Sequence, residues 1–129
     1  MYFSYYSFIK WSPVQLLFAF IGADDNFHLF NAETRTEIQT EVKFYNYNYN
    51  QVNFSSDGKF LAGWDDSKSV YLIETSTGNL LHQIKLDYFV KKILWSKSRD
   101  KLFIQSEYTK RLKVETLPDS IFGATGSNH

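Results

Sequence analysis

Residues 51–86 read QVNFSSDGKFLAGWDDSKSVYLIETSTGNLLHQIKL, in which short apolar segments alternate with polar breaks. The apolar positions are Val52, Phe54, Phe60, Leu61, Val70, Leu72, Leu80, Leu81 and Ile84. The breaks at 56–59 and 76–79 contain Gly58 and Gly78, which can adopt a positive φ without steric cost, and a third break covers 65–68. Four strands joined by three such turns predict one antiparallel sheet.

The chain contains two weaker copies of this pattern, one on each side. Trp11, Phe54 and Trp95 each end a short apolar segment and are each followed by a serine. The spacing is 43 residues from position 11 to 54 and 41 residues from 54 to 95. Both spacings match the roughly 40 to 45 residues of one four-stranded repeat unit. We therefore expect Trp11, Phe54 and Trp95 to occupy equivalent core positions, one in each copy.

The central copy resembles one repeat of the WD-repeat β-propeller family. The resemblance rests on F-S-S-D-G-K-F-L-A at 54–62, on an Asp pair before V-Y-L-I-E, and on T-S-T-G-N-L-L at 75–81. It implies an all-β fold of antiparallel four-stranded blades. Since propellers have about four to eight blades, about three blades imply an incomplete ring.

The copies define the expected domain boundaries. We assign a propeller segment to residues 1–117, with blades at about 7–44, 51–86 and 90–117, and a C-terminal tail to residues 118–129, in which Ile121 and Phe122 are apolar residues available to dock. The fourth strand of the first blade is expected near 37–44. No fourth strand is evident in the third blade, because Pro118 follows Thr116 so closely.

The family's defining Trp-Asp pair is absent from all three copies. Its positions are occupied by Phe30-Asn31, Ile73-Glu74 and Val114-Glu115. The resemblance implies that Asp25 and Asp66 hold the turn before the third strand. Asp57, Gly58 and Gly78 are likewise assigned structural roles in turns.

The composition limits the classes of partner. The 129 residues include 14 basic and 14 acidic side chains, so the formal net charge is zero. This balance argues against a partner held mainly by electrostatics, such as duplex nucleic acid or an anionic membrane. The absence of cysteine excludes disulfides and thiolate metal sites. The longest apolar run, 16–21, is too short to cross a bilayer, and we expect an intracellular, cytoplasmic protein.

The residues with chemical potential have simpler structural explanations. His28, His82 and His129 do not have the spacing of metal ligands. The pairs Asp24-Asp25 and Asp65-Asp66 are interpreted as two copies of one turn rather than as a catalytic acid and base. The sequence therefore predicts no catalytic residue, no metal and no cofactor.

The run Phe44-Tyr45-Asn46-Tyr47-Asn48-Tyr49-Asn50 alternates aromatic and polar residues between the first two copies. At a period of two, Tyr45, Tyr47 and Tyr49 lie on one face, where their rings are suited to bind a peptide, a sugar or unstacked bases. The alternative is an extended segment whose tyrosines pack on a neighbouring blade.

The leading functional hypothesis is a non-catalytic scaffold for protein–protein interaction, which is a subunit or fragment within a larger assembly. Its partners are other proteins, or a second copy that completes the propeller. One alternative is an RNA-associated component of a ribonucleoprotein particle, and another is an enzyme with a site in a central channel. The RNA alternative is based on the three tyrosines and on eight cations in the third copy. These cations are Lys91, Lys92, Lys97, Arg99, Lys101, Lys110, Arg111 and Lys113.

Overall fold

The computed structural model describes residues 9–21, 27–41, 52–65, 67–109 and 111–123. These residues form eleven strands in three separate antiparallel sheets, and one short helix. The first blade contains β1 (Ile9–Trp11), β2 (Leu17–Ile21), β3 (Phe27–Asn31) and β4 (Thr36–Ile38). The second contains β5 (Val52–Phe54), β6 (Phe60–Trp64), β7 (Ser69–Glu74) and β8 (Leu80–Lys85). The third contains β9 (Val90–Trp95), β10 (Lys101–Ser106) and β11 (Leu112–Thr116), and α1 (Asp119–Gly123) follows it.

The three blades share one strand register. Trp11 pairs with Phe18, Phe54 with Leu61, and Trp95 with Leu102, so each anchor residue faces the residue seven positions later. Consecutive strands pair as neighbours in every sheet. The predicted all-β, three-blade architecture is therefore confirmed, and the described residues do not form a closed ring.

The central blade is buried on both faces. All five residues of β6 are buried, although alternate side chains point to opposite sides of a strand. Leu61 and Ile73 pack against the first blade in one hydrophobic cluster with Leu17 and Leu29. Side chains on the other face pack against the third blade, and this cluster includes Phe60, Ala62, Trp64, Val70, Leu72, Ile93, Leu102 and Ile104.

The three anchors occupy equivalent positions, but the prediction that all three are buried is wrong. Phe54 and Trp95 are half-buried between blades, whereas Trp11 is 54% exposed. The physical reason is position in the stack. Trp95 packs against the second blade, while Trp11 lies on the first blade's side that faces away from the second blade.

The ends of the first and third blades also differ from expectation. β4 ends at Ile38, and after it Glu41 donates its backbone N–H to Gly78 O of the central blade at 3.0 Å. The rest of the predicted strand, at 42–44, lies outside the described residues. The segment after residue 117 is not simply a tail, since Ile121 of α1 is buried in the cluster between the second and third blades. The third copy's equivalent of Ile73-Glu74 is Glu115-Thr116 rather than Val114-Glu115, because its loop between the second and third strands is one residue longer.

Two glycines lie where one blade touches the turn of the next. Gly58, in the turn between β5 and β6, has φ 74°, and Gly78, between β7 and β8, has φ 80°. A Cβ on Gly78 would lie 2.1 Å from the backbone oxygen of Gln39. A Cβ on Gly58 would lie 2.7 Å from the side chains of Ser12 and Val14. Glycine is therefore required in both turns for two reasons: the backbone has a positive φ, and a Cβ would lie too close to neighbouring atoms.

We predict that Gly78→Ala destabilises the protein more than Gly58→Ala. Each change adds strain at a positive φ, which costs about 1 to 3 kcal/mol, but only the first also drives a Cβ into backbone. Denaturant unfolding of both variants measures the difference. Ser76→Ala, at an exposed position of the same turn, is the control and should stay within about 0.5 kcal/mol of the parent. The reverse order of the two glycine variants would contradict this packing.

Candidate interaction surfaces

The serine after each anchor holds the first turn of its blade. Ser12, Ser55 and Ser96 donate their backbone N–H to Leu17 O, Phe60 O and Lys101 O at 2.8, 2.8 and 3.0 Å. In the second and third blades the serine hydroxyl accepts the N–H of that same partner residue at 3.1 Å. The Ser55 hydroxyl also donates to Asp57, and the Ser96 hydroxyl donates to Asp100. These serines and aspartates therefore close turns, and their polar groups satisfy one another.

Asp57 and Arg99 join the turns of neighbouring blades. The Arg99 guanidinium donates to the Asp57 carboxylate and also lies over the Phe60 ring, with Cζ 5.1 Å from the ring centroid. Arg99 has φ 60° and occupies the position that Gly58 occupies in the preceding blade, four residues after the anchor. A non-glycine residue is thus held in a left-handed conformation where its side chain reaches back to the neighbouring blade.

The pKa of Asp57 reflects these contacts. Burial would raise it, but the Lys59 N–H, the Ser55 hydroxyl and the Arg99 guanidinium stabilise the carboxylate and lower the pKa below its ordinary value. Asp100 is half-buried, and hydrogen bonds from Ser98, Lys101 and Ser96 lower its pKa to about 2. Both side chains are therefore ionised at neutral pH and act as hydrogen-bond acceptors.

A second link joins the first strands of the central and third blades. The Trp95 indole N–H donates to Asn53 O at 3.0 Å, and the Asn53 side-chain amide donates to Ile93 O at 2.5 Å. Across the blade boundary, Asn53 thus accepts one hydrogen bond from Trp95 and donates another to Ile93. Residue type alone gave little indication of this role for Asn53, which the pattern marks only as a polar strand position.

The first blade presents an apolar face that no described segment covers. Ile9 and Trp11 are exposed on β1, and the Trp11 ring packs on Phe18 with centroids 4.9 Å apart. Phe18 in turn packs on Phe30 at 5.4 Å. These aromatic side chains lie on the face of the first blade that corresponds to the face by which the central blade packs on the first blade.

The third blade exposes apolar residues on the face that points away from the second blade. Phe103 pairs with Leu94 on one side and with Val114 on the other, so the three side chains form a row across the sheet. Leu94 and Val114 are exposed, as is Leu112 further along β11. The equivalent face of the central blade carries Val70 and Leu72, which are fully buried against the third blade.

The cations of the third blade are partly engaged by acids. Among the described residues, Arg99 pairs with Asp57, Lys101 with Asp100 at 3.1 Å, and Lys113 with Glu115 at 3.1 Å. Lys110 lies outside the described residues. Three of the eight cations on which the RNA alternative is based are therefore paired with carboxylates.

A small aromatic surface lies where the loops of the second and third blades meet. Phe89 and Tyr108 pack edge to face, with centroids 6.1 Å apart, and the Lys68 ammonium lies 4.8 Å from the Phe89 ring centroid. Tyr108 is exposed to solvent. Lys68, like Arg99, has a positive φ, of 65°. No sequence pattern indicates this group, because its members come from three different loops.

Several predicted residues lie outside the described ranges. They are Asp25, Asp66, Tyr45, Tyr47, Tyr49 and His129. Of the other two histidines, His28 pairs with Glu37 at 2.6 Å, and His82 is half-buried on β8. Within the described part of the chain, no three potential metal ligands come together, and no helix is long and apolar enough to span a membrane.

Three stacked antiparallel sheets with one register, joined turn to turn, define a partial β-propeller of the WD40 class. A family model described as the anaphase-promoting complex subunit 4 WD40 domain matches residues 9–98. The chain belongs to this family of WD40 domains. The family resemblance seen in the sequence is thereby confirmed.

Comparison with solved structures agrees on the fold. The hydrazine synthase of Kuenenia stuttgartiensis superposes with a TM-score of 0.66 and 16% sequence identity over 84% of this chain. The chain spans 31% of the length of that protein, and the likeness shows the fold alone. No curated protein matches the sequence. WD40 domains generally act as protein-interaction scaffolds and are generally not enzymes, and the family sets this broad functional class.

We predict that Asp57 and Arg99 stabilise the protein jointly. A double-mutant cycle with Asp57→Asn and Arg99→Gln should give a coupling free energy of about 0.5 to 1 kcal/mol, because the pair is partly exposed. The coupling should weaken at about 1 M salt. Strict additivity of the two single variants would contradict the link.

The same pair predicts a pH dependence. Because the folded pKa of Asp57 is lower than its ordinary value of 3.8, its stabilisation is present above that value and is lost as pH falls through the lower folded pKa. The difference in unfolding free energy between the parent and Asp57→Asn should therefore shrink below about pH 4. Unfolding curves recorded at several pH values measure this, and a difference that grows on acidification would oppose it.

We predict that Trp95→Phe costs more stability than Trp11→Phe. Both changes keep an aromatic ring at the anchor position, but only the first removes a hydrogen bond between blades, worth about 0.5 to 1.5 kcal/mol. Trp11 is the matched control because it is largely exposed at the equivalent position. Equal losses in thermal and chemical unfolding would show that the indole N–H does not link the blades.

Proposed function

We propose that this chain is a non-catalytic scaffold that works as a subunit of a larger assembly, in which other polypeptide surfaces cover its two terminal blade faces. A second copy of the chain completing the propeller is one form of such an assembly. The other is a different subunit that packs on the same faces.

The observation that carries the proposal is the unequal burial of equivalent positions. Val52 and Ile93 are 0% exposed on the first strands of the second and third blades, but Ile9, their equivalent in the first blade, is 48% exposed. The reverse holds on the opposite side of the stack. Leu29 and Leu72 are 0% exposed on the third strands of the first two blades, but their equivalent Val114 is 49% exposed.

Each inter-blade face is thus buried wherever a neighbouring blade is present. The apolar residues at the two ends have the same positions in the register as the buried ones. Burial of apolar surface stabilises by about 25 cal/mol per Å². Exposed apolar residues grouped on one face mark interaction surfaces in soluble proteins, and on the first blade these are Ile9 and Trp11, since the adjacent Phe18 and Phe20 are buried.

The polar groups support a structural rather than a catalytic role. The hydroxyls of Ser55 and Ser96 and the carboxylates of Asp57 and Asp100 hydrogen-bond within turns and between blades. The three ion pairs of the third blade leave the RNA alternative with less support than the sequence suggested.

The family relation supports the assembly role. The family model takes its description from a WD40 domain of a subunit of the anaphase-promoting complex. We propose that this chain is likewise a component of a multi-subunit complex, and its terminal faces are the surfaces by which it is held there.

Light scattering on the purified 129-residue chain tests the proposal. We expect association at micromolar concentration, and Ile9→Lys or Leu94→Lys should shift the mass toward the monomer by placing a charge on a terminal face. Ser76→Lys adds the same charge in an exposed turn away from these faces and should leave the mass unchanged. A soluble, cooperatively folded monomer at micromolar concentration would refute the proposal.

A further inference from the structure

Within the described residues, the third blade has three strands, one fewer than each of the other two. The first and second blades are four-stranded in the order β1-β2-β3-β4 and β5-β6-β7-β8, whereas the described part of the third ends at β11. After Thr116 the chain turns away from the sheet. Leu117 and Ile121 are buried in the cluster between the second and third blades, so α1 does not run beside β11.

The register shows which backbone groups of β11 face the open edge. Leu117 N–H donates to Asp100 O at 2.8 Å, and Ser106 N–H donates to Arg111 O at 3.1 Å. Hydrogen-bonded pairs alternate along an antiparallel ladder. The backbone groups of Lys113 and Glu115 therefore point toward β10, and those of Leu112, Val114 and Thr116 point outward.

The central blade shows what occupies this edge when the blade is complete. Leu86 N–H donates to Lys68 O at 2.9 Å, so by the same alternation Val70 and Leu72 exchange backbone hydrogen bonds with Ile84 and His82 of β8. Val70 and Leu72 are the equivalents of Leu112 and Val114. Ile84, opposite Val70, is buried in the inter-blade cluster.

We infer that the open edge of β11 is a strand-acceptor site, which binds an extended segment of a partner polypeptide as an antiparallel fourth strand. This inference rests on the proposed scaffold function and locates one of its binding sites. Main-chain hydrogen bonds to Leu112, Val114 and Thr116 provide the affinity, as in other cases of strand addition.

The side chains on the exposed face of the third blade determine which sequences the strand-acceptor site prefers. Leu112 and Val114 point to the same side as Phe103 and Leu94, so the bound strand places every second residue beside this apolar row. An apolar residue opposite Leu112 would occupy the place that Ile84 has in the central blade. Lys113 and Glu115 alternate with these residues and form an ion pair with each other at 3.1 Å. Together they add no net charge to the site. The site therefore favours an extended segment with apolar residues at alternate positions.

The probe is a synthetic peptide with the sequence of residues 79–86, NLLHQIKL, which contains the strand that fills the equivalent edge of the central blade. Amide hydrogen exchange on the isotopically labelled 129-residue chain reports its binding. We expect at least tenfold slower exchange at the amides of Leu112, Val114 and Thr116 when the peptide is present. A peptide carrying proline in place of Ile84 lacks the required N–H and should give no protection.

Two variants of the chain separate the edge from the fold. Val114→Pro removes an N–H that faces the edge and leaves the ladder to β10 intact, so protection of Leu112 and Thr116 by the peptide should be lost. Val114→Thr keeps both the N–H and the shape of the side chain, and it should retain the protection. Circular dichroism and the unfolding midpoint show whether each variant is folded. If Val114→Pro does not fold, Val114→Lys, which charges the same edge strand, takes its place.

Two results would overturn the inference. One is fast exchange at Leu112, Val114 and Thr116 both with and without the peptide. The other is slow exchange at these amides before peptide is added, which would show that this chain or a second copy of it already occupies the edge. Neither result depends on the measured mass of the chain, so a self-sufficient monomer would refute the scaffold assembly without deciding the edge, and the reverse also holds.

Discussion

The structure depends on burial of the central blade from both sides. A β-strand directs alternate side chains to opposite faces, and β6 carries large or small apolar residues at every position, so neither face tolerates water. Phe60 and Trp64 require the third blade, and Leu61 requires the first. The sheet with the clearest sequence pattern is thus the one that cannot be stable without its neighbours. The stack is the folding unit, as in other repeat proteins, where each unit buries its apolar faces against the next.

Specific polar contacts then fix how one blade sits on another. The hydrophobic clusters bury apolar surface but do not fix the orientation of the blades. Hydrogen bonds between the second and third blades do fix it, and they are made by Asn53, Trp95, Asp57 and Arg99. Between the first and second blades the same role is played by close backbone approach, with Glu41 bonded to Gly78 and Leu80 bonded to the Glu41 carboxylate. The residues at the equivalent turn position, Gly58 and Arg99, reflect this difference. The turn that contains Gly58 packs closely against Ser12 and Val14, whereas the turn that contains Arg99 is joined to the neighbouring blade by an ion pair.

The repeat period and the turn chemistry were sufficient to predict the fold class, the number of blades and most strands. Equivalence of Trp11, Phe54 and Trp95 was also correct, since aromatic-Ser pairs at a constant spacing report a local register. Exposure of Trp11 was not predictable in this way, because burial is decided by whether another blade lies beside the residue, and a repeat pattern has no information about its own ends. The Arg99 bridge was equally hidden, because a positive φ at arginine has no compositional signature. The bond from Glu41 to the central blade was also not predictable, because the strand pattern gives no indication of a contact beyond its own sheet.

The tryptophans give each blade a separate optical probe. Trp11 is 54% exposed in the first blade, Trp64 is 2% exposed in the second, and Trp95 is half-buried in the third. Their indole rings therefore differ in solvent exposure within one polypeptide, and collisional quenchers reach Trp11 most readily, then Trp95, and Trp64 least. A subunit that covers the first blade would shift the red-edge emission of Trp11 while the blue emission of Trp64 stays constant. Intrinsic fluorescence can thus report which end of the stack is occupied without any label attached to the protein.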